Sequence, residues 1–422
     1  MSNRRHWLRA AAASAAAVTI GDRSFADRPP PPAASRDALA ARYELIDAAA
    51  ARPVVDRDRF ADPVVIESAE LLRHENSFLC RVRSTDGAEG VCVGHNIRMP
   101  YLHPIQTQLV NPYFVGKDAR DLDSLVDGVY LHRNNYKLQG MALWIPVATI
   151  EFAILDMLGN IAGVPMGELI GGRRRERVAV YQANNHRGRS AEETVDRIGE
   201  VAESTGVRAL KFKIGGRMAN VERPADRTER LIPAMRDAFP DHTLYADANG
   251  SYGVDDALRV GGWLQDSRID LFEGPLPFDW YEDIRHVASR LKIPIAGGEG
   301  EASMRNYRWI AANDCFDVFQ HDLFYFGGMI RSLRVARMAE AMGHTCMPHI
   351  SGTGLGYAYM LQFVSALPNA ADYHEFKRIS DEIPATCETS SLRIERGEIT
   401  VPAGPGDGID LDPNWVRKHR PV

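Results

Sequence analysis

Short apolar runs recur through the second half of the chain at intervals of roughly 25–35 residues, separated by stretches with the length and spacing of amphipathic helices. The runs are Val178–Tyr181, Ala209–Phe212, Thr243–Ala246, Leu271–Phe272, Ile293–Ala296, Val318–Gln320, Thr345–Met347 and Asp372–Tyr373. Eight strands alternating with helices fit a (β/α) barrel better than an open doubly wound sheet, and no glycine-rich dinucleotide fingerprint follows the first of them. Ahead of this region the rhythm differs. Val64–Ile66, Phe78–Val82 and Gly90–Val93 read as strands, the last two joined through the turn Thr85-Asp86-Gly87, while Leu122–Leu131 and Val147–Ile161 carry helical spacing. The pattern therefore predicts an α/β protein: a modified TIM (β/α) barrel over 176–378, an N-terminal α+β capping domain over 62–175, and a C-terminal segment, 379–422, that returns to complete the capping domain.

Composition narrows this picture. A chain of 422 residues exceeds one small core, and 45% hydrophobic with 25% charged residues is ordinary for a soluble globular protein. The net charge of −6, from 50 basic and 56 acidic residues, lacks the basic excess that phosphate backbones demand, so no nucleic-acid partner is expected. Residues 1–26 read as an address: Arg4-Arg5 precedes the small apolar run Ala10–Ile20, and Ser24-Phe25-Ala26 resembles a cleavage site. That run is about 11 residues, well short of the ~20 that span a bilayer. A twin-arginine-type signal and a periplasmic location are expected, without a membrane span. In the segment 27–61, Pro29–Pro32 is a stiff linker and Ser35–Ala51 has the spacing of one helix. The five cysteines form no C-x-x-C pair and read as small core residues, although Cys80 and Cys92 flank a hairpin turn and could bridge in an oxidising compartment.

The ionisable residues decide the chemistry. Lys211 and Lys213 end the second strand, Asp247 the third, Glu273 the fourth and Glu299 the fifth; Asp322 follows the sixth, His349 ends the seventh and Glu375 the eighth. In a (β/α) barrel these ends converge on one face, where active sites are built. Three successive strands each bringing a carboxylate to a shared mouth predict a divalent cation, and all-oxygen ligands favour Mg²⁺. A lysine beside such a cation should have a lowered pKa, as suits a base. The competing account is a ring of ordinary salt bridges, with the two lysines neutralising the carboxylates; eight residues in register weigh against it.

Lys211-Phe-Lys213, Asp247-Ala-Asn249, Phe272-Glu273-Gly-Pro275, Gly297-Gly298-Glu299 and the Asp322 with His349 pair resemble the mandelate racemase subgroup of the enolase superfamily, as do Ile150–Gly159 and Leu169–Gly172 at a capping-to-barrel junction. The resemblance implies that Asp247, Glu273 and Glu299 hold Mg²⁺. It further implies that Lys213 is a base on one face of a small-molecule carboxylate substrate and that His349, oriented by Asp322, is the acid or base on the other. Lys211 would polarise the substrate carboxylate and Glu375 would hydrogen-bond it. Asn184, Asn185 and His186, at the end of the first strand, and Asn249 are candidate substrate-binding residues. Two departures stand out: Asn160 replaces the usual lysine after the junction glycine, and Leu72–Ser77 is short where relatives carry a long closing loop, which would shift specificity to Asn96–His103. The likeness favours dehydration of an acid sugar to a 2-keto-3-deoxy acid. Racemisation or epimerisation by the same residues is the alternative, and an exported carboxylate-binding protein without catalysis is a third reading. A homo-oligomer is expected.

Overall fold

The computed structural model describes residues 36–184, 186–218, 221–352, 354–377 and 383–422. The twin-arginine-like segment, the proline linker and Asn185 lie outside the described residues.

The capping domain begins with a meander of β1 (Ile66–His74), β2 (Ser77–Ser84) and β3 (Glu89–Val93). Because β1 runs on to His74, the connection to β2 is only the tight turn at Glu75-Asn76. Cys80 and Cys92 stand directly opposite each other on β2 and β3, buried and with free thiols. Eight parallel strands follow around the barrel: β4 (Arg177–Tyr181), β5 (Ala209–Lys213), β6 (Thr243–Asp247), β7 (Leu271–Glu273), β8 (Ile295–Gly297), β9 (Val318–Phe319), β10 (Thr345–Cys346) and β11 (His374–Glu375). Strands β5 to β10 form one hydrogen-bonded run, and β11 pairs with β4 through His374↔Val180 and Glu375↔Tyr181. The eighth strand thus sits two residues beyond the expected Asp372-Tyr373. Ala371 N–H is spent on Cys346 O, and only afterwards does the chain reach β4.

Strand periodicity of two explains the barrel's interior. Ala209, Leu271, Val318 and Ala371 come from alternate staves, and Tyr181, Tyr245, Ala296 and Met347 from the others; together they form one apolar plug. The tail supplies β12 (Ala385–Thr386), β13 (Glu398–Thr400), β14 (Asp410–Leu411) and β15 (Arg420–Pro421). Strand β13 runs antiparallel to β4, and β15 covers the outer edge of β1 through Leu72↔Pro421 and Arg73↔Arg420.

The helix Met141–Ala162 joins the two domains. Among the described residues it is the one helix long and apolar enough to cross a membrane, but it is packed inside the fold as a core helix. It carries two buried carboxylates. Asp156 accepts from Val91 N–H of β3 and Asp407 N–H of the tail, each at 2.9 Å. Glu151 accepts from Met329 N–H at 2.7 Å and Ile330 N–H at 2.8 Å, capping the barrel helix Met329–Ala341. Asn160, at the family's lysine position, reaches Glu89 O and Asp156 from the partly exposed side. The N-terminal helix Arg36–Ala50 lies on the barrel's outside, where Asp47 pairs with Arg308 and Arg42 with Asp314. A run of helical segments between Met99 and Phe114 has no counterpart in the sequence reading, because Pro100, Pro104 and Pro112 break the usual signal.

Burial pushes the Glu151 carboxyl up to about 8, against the pull of the two N–H groups it accepts from. The folded state therefore holds this proton more tightly than the unfolded chain, so stability falls as pH rises from the ordinary carboxylate range through about 8. The slope is at most ~1.4 kcal/mol per pH unit for one proton. Thermal melts from pH 5.5 to 8.5, spanning roughly that window, should show a steeper loss of Tm for the wild type than for Glu151→Gln. Parallel slopes would contradict the assignment.

Candidate active site

On β5, β6, β7 and β9 the inward face changes from apolar to polar or ionic at the C-terminal end. Lys211 lies two residues beyond Ala209, Asp247 two beyond Tyr245, Glu273 two beyond Leu271 and Gln320 two beyond Val318, so all point into the barrel above the apolar plug. Asp247 and Glu273 are directly paired in register on β6 and β7. Lys211 Nζ donates to Glu273 Oε1 at 3.0 Å and Glu375 Oε2 at 2.9 Å, and lies 5.1 Å from the centre of the Tyr181 ring. Gln320 Nε2 donates to Glu273 Oε2 at 2.9 Å. Lys213 Nζ is paired with Asp247 Oδ2 and reaches Asn249 Oδ1 at 3.3 Å. Glu299, two residues past β8, accepts from Asn249 Nδ2 at 3.4 Å and faces His349 Nε2 at 3.4 Å.

Asn249 therefore sits at the centre of the network, linking Lys213 to Glu299. Its backbone is in the left-handed region (φ 45°), a conformation asparagine tolerates, and its N–H closes a turn onto Asp247 Oδ1 at 2.8 Å. Arg187, in the loop after β4, braces the turn, donating to Asn249 Oδ1 at 2.8 Å and Asp247 O at 3.0 Å.

Opposite β5 across the mouth is the histidine. Asp322 Oδ2 and His349 Nδ1 are 2.8 Å apart, and an isolated parallel bridge joins the two residues. Asp322 is itself fixed by N–H groups of Phe324, Tyr325 and Ser351. The capping domain reaches this dyad through His95, whose Nε2 is 2.6 Å from Ser351 Oγ and whose ring stacks on Tyr325. The expected specificity segment Asn96–His103 follows directly, with Arg98 against the Tyr325 hydroxyl. His95, Arg187 and Gln320 escaped the sequence reading; only Gln320 carried a usable signal, its inward parity after Val318.

Two candidate substrate-binding residues are placed otherwise than expected. Asn184 spends its amide on Lys211 O at 2.6 Å and its carbonyl on His186 N–H, so it braces β5 rather than facing the mouth. His186 and Asn184 line a cavity of about 240 Å³ beside β5, together with Ile198, Val201 and Lys211.

Burial raises Glu273, with Asp247's charge adding to it, to about 7, whereas Lys213 and Lys211 overcome burial and hold Asp247 well below the usual carboxylate range. Lys211 is held charged by its carboxylate partners. Burial alone would depress it, but Glu273 and Glu375 outweigh burial and keep it well above the ordinary lysine value. For His349, burial also opposes charge, yet Glu299 and Asp322 lift it to about 9. Among the described residues no three His, Cys, Asp or Glu side chains already converge as a metal cage, since the lysines engage Asp247 and Glu273. The donor set nevertheless fits a hard cation: three carboxylates from adjacent staves, oxygen atoms only, with Glu273 crowded by negative neighbours.

A closed (β/α) barrel with carboxylates between a lysine and a histidine–aspartate pair defines an acid–base enzyme with a site suited to a divalent metal. The family described as enolase C-terminal domain-like matches residues 193–415, and the chain belongs to it, on the mandelate racemase side of the enolase superfamily. A D-galactarolactone cycloisomerase from Agrobacterium fabrum is 28% identical over 323 residues, covering 74% of this chain and 83% of that protein. An arabinonate dehydratase from Saccharolobus solfataricus is 24% identical over 304 residues, covering 72% and 79%. Among solved structures, a putative racemase from Roseobacter denitrificans superposes with a TM-score of 0.78 at 28% identity, covering 84% of this chain and 98% of that one. A mandelate racemase/muconate lactonizing protein from Paracoccus denitrificans, complexed with magnesium, gives 0.74 at 22% identity, covering 85% and 99%.

Removing the Asp322 charge should lower the His349 pKa from about 9 toward the ordinary imidazole value. NMR titration of metal-depleted Asp322→Asn against metal-depleted wild type reads this directly, and an unchanged titration would show that Asp322 does not set the imidazole's charge.

Proposed function

We propose that the protein abstracts the α-proton of a small carboxylate substrate with the help of Mg²⁺ and dehydrates an acid sugar to a 2-keto-3-deoxy acid. The observation that carries this reading is the placement of Lys213 at the end of β5 and of the Asp322–His349 pair beyond β9 and β10, with Asp247, Glu273 and Glu299 on the arc between them. Asp247, Glu273 and Glu299 would hold the cation, which when bound supplies positive charge to the substrate carboxylate as electrons move onto it.

The chain's own groups perform the remaining work. Lys211, fixed between Glu273 and Glu375, presents a permanent ammonium donor to the substrate carboxylate. Lys213, as the free amine, takes the α-proton; the C–H electron pair passes into the carboxylate. His349 then donates its Nε2 proton to the departing β-hydroxyl, which leaves as water, while Asp322 holds the ring by Nδ1. The enol product reverts to the 2-keto acid. Relatives named as dehydratases and a cycloisomerase support proton abstraction next to a carboxylate. The same two residues across the mouth also suit 1,1-proton transfer, the second reading, which the likeness to a putative racemase favours. A binding protein without catalysis would have no use for the fixed dyad.

Two experiments test the proposal. Dialysis against a chelator should abolish turnover, and Glu273→Gln should abolish Mg²⁺ uptake with the fold intact; full activity without divalent ions would refute the metal's role. With an acid-sugar substrate whose α-proton faces Lys213, Lys213→Ala should lose both α-hydrogen exchange in D₂O and product. His349→Asn should keep exchange and lose dehydration. Each loss should be roughly 10²–10⁴-fold. Formation of the epimer with no 2-keto acid would establish the second reading, and retention of exchange and turnover in both variants would overturn the mechanism.

A further inference from the structure

A cleft of about 650 Å³ opens between the capping domain and the loop after Glu299, lined in part by Tyr130, Leu131, Gln139, Trp144, Met304 and Arg331. It shares no residue with the catalytic network. Arg331, on the helix Met329–Ala341, is only 5% exposed. Its Nε donates to Phe326 O and its Nη2 to Ala302 O, both at 2.7 Å. The guanidinium carbon lies 3.5 Å from the centre of the Trp144 ring and 4.5 Å from that of Phe326, and Trp144 is in turn stacked on Tyr130. Nη1 has no protein partner among the described residues, and no carboxylate there forms an ion pair with this cation.

A buried guanidinium with no carboxylate within ion-pair distance is costly, and burial depresses its pKa although the more distant charges of Asp127 and Glu151 pull it back up. The carboxylates nearby are already committed. Glu301 accepts from Ala302 N–H at 2.7 Å, Ser303 N–H at 2.5 Å, Asn306 Nδ2 at 2.8 Å and the Tyr281 hydroxyl, while Asp127 pairs with Arg334 at 2.7 Å. The N-terminus of the helix Met304–Ala312, with its positive dipole end, also opens on the cleft.

We propose that this cleft is a second ligand site, taking the carboxylate of a small organic acid on Arg331 Nη1. Its volume matches small-molecule sites, and the walls of Leu131, Met304 and Tyr130 favour an organic acid over a bare inorganic anion. The proposal does not depend on which reaction the catalytic mouth performs. The ligand is either a polyhydroxy acid or an apolar one, and the test separates them.

The experiment is calorimetric titration of the full-length, Mg²⁺-loaded protein with gluconate, benzoate and uncharged benzamide. One of the two acids should bind saturably, and benzamide at least about tenfold more weakly than benzoate if the site prefers the apolar acid. Saturation by gluconate alone would assign the polyhydroxy class. Leu131→Glu, at an exposed position on the rim, should weaken the acid by at least about tenfold through charge repulsion without touching the core. Arg331→Met should abolish binding; should that variant not fold, Leu131→Glu carries the test. Absence of saturable binding by either acid up to about 10 mM would overturn the proposal, since weaker affinity lies beyond a specific site. So would binding that survives Leu131→Glu but is lost in Lys211→Ala, because the acid would then occupy the catalytic mouth.

Discussion

Charge buried at the C-terminal rim of the barrel is the constraint around which the rest of the molecule is arranged. Asp247, Glu273, Glu375 and Lys211 are almost completely shielded from water, and none would be tolerable alone. Each is stabilised by groups from other staves, so the network exists only while the ring is closed. Lys211 ties β5 to β7 and β11, Lys213 ties β5 to β6, and Gln320 extends the link to the end of β9. The apolar plug beneath supplies the rigid floor, and the ionic layer above turns that floor into a site. Fold and chemistry are therefore coupled: loosening one stave both exposes the core and unpairs a charge.

The same device recurs at the junction between domains. Glu151 and Asp156 sit about 1.4 turns apart on the helix Met141–Ala162, each accepting two backbone N–H groups from segments far away in the chain. One carboxylate satisfies the first N–H groups of a barrel helix; the other clamps a capping strand to the tail. Gly328 allows the first of these contacts, because a Cβ there would collide with the Glu151 carboxylate. The capping domain is thereby held over the rim, where His95 reaches Ser351 and the Asp322–His349 pair.

Much of this architecture could be read from spacing. A period of two along eight short strands, seven of them followed by an ionisable residue at the same end, places Lys211, Asp247 and Glu273 on one rim without further information. What escaped had physical reasons. Prolines hid the helical run from Met99 to Phe114, and His95 and Arg187 act from loops that have no periodicity. Gln320 is neutral and drew no attention beside charged neighbours. Asn184 shows the opposite failure: a polar residue at a strand end suggested ligand contact, whereas a backbone carbonyl claims its amide. From the chain alone, bracing and binding look the same.

The pairing of β15 with β1 has a consequence for biogenesis. The two strands of that ladder are separated by the whole barrel sequence, so on the ribosome β1 emerges early and waits with one edge bare while all eight staves are made. An open edge rich in backbone donors and acceptors invites pairing with neighbouring chains. The stretch of β1 that β15 covers, Leu72 and Arg73, is thus the last part of the capping sheet to find its partner, and slower translation would lengthen the interval before it is covered.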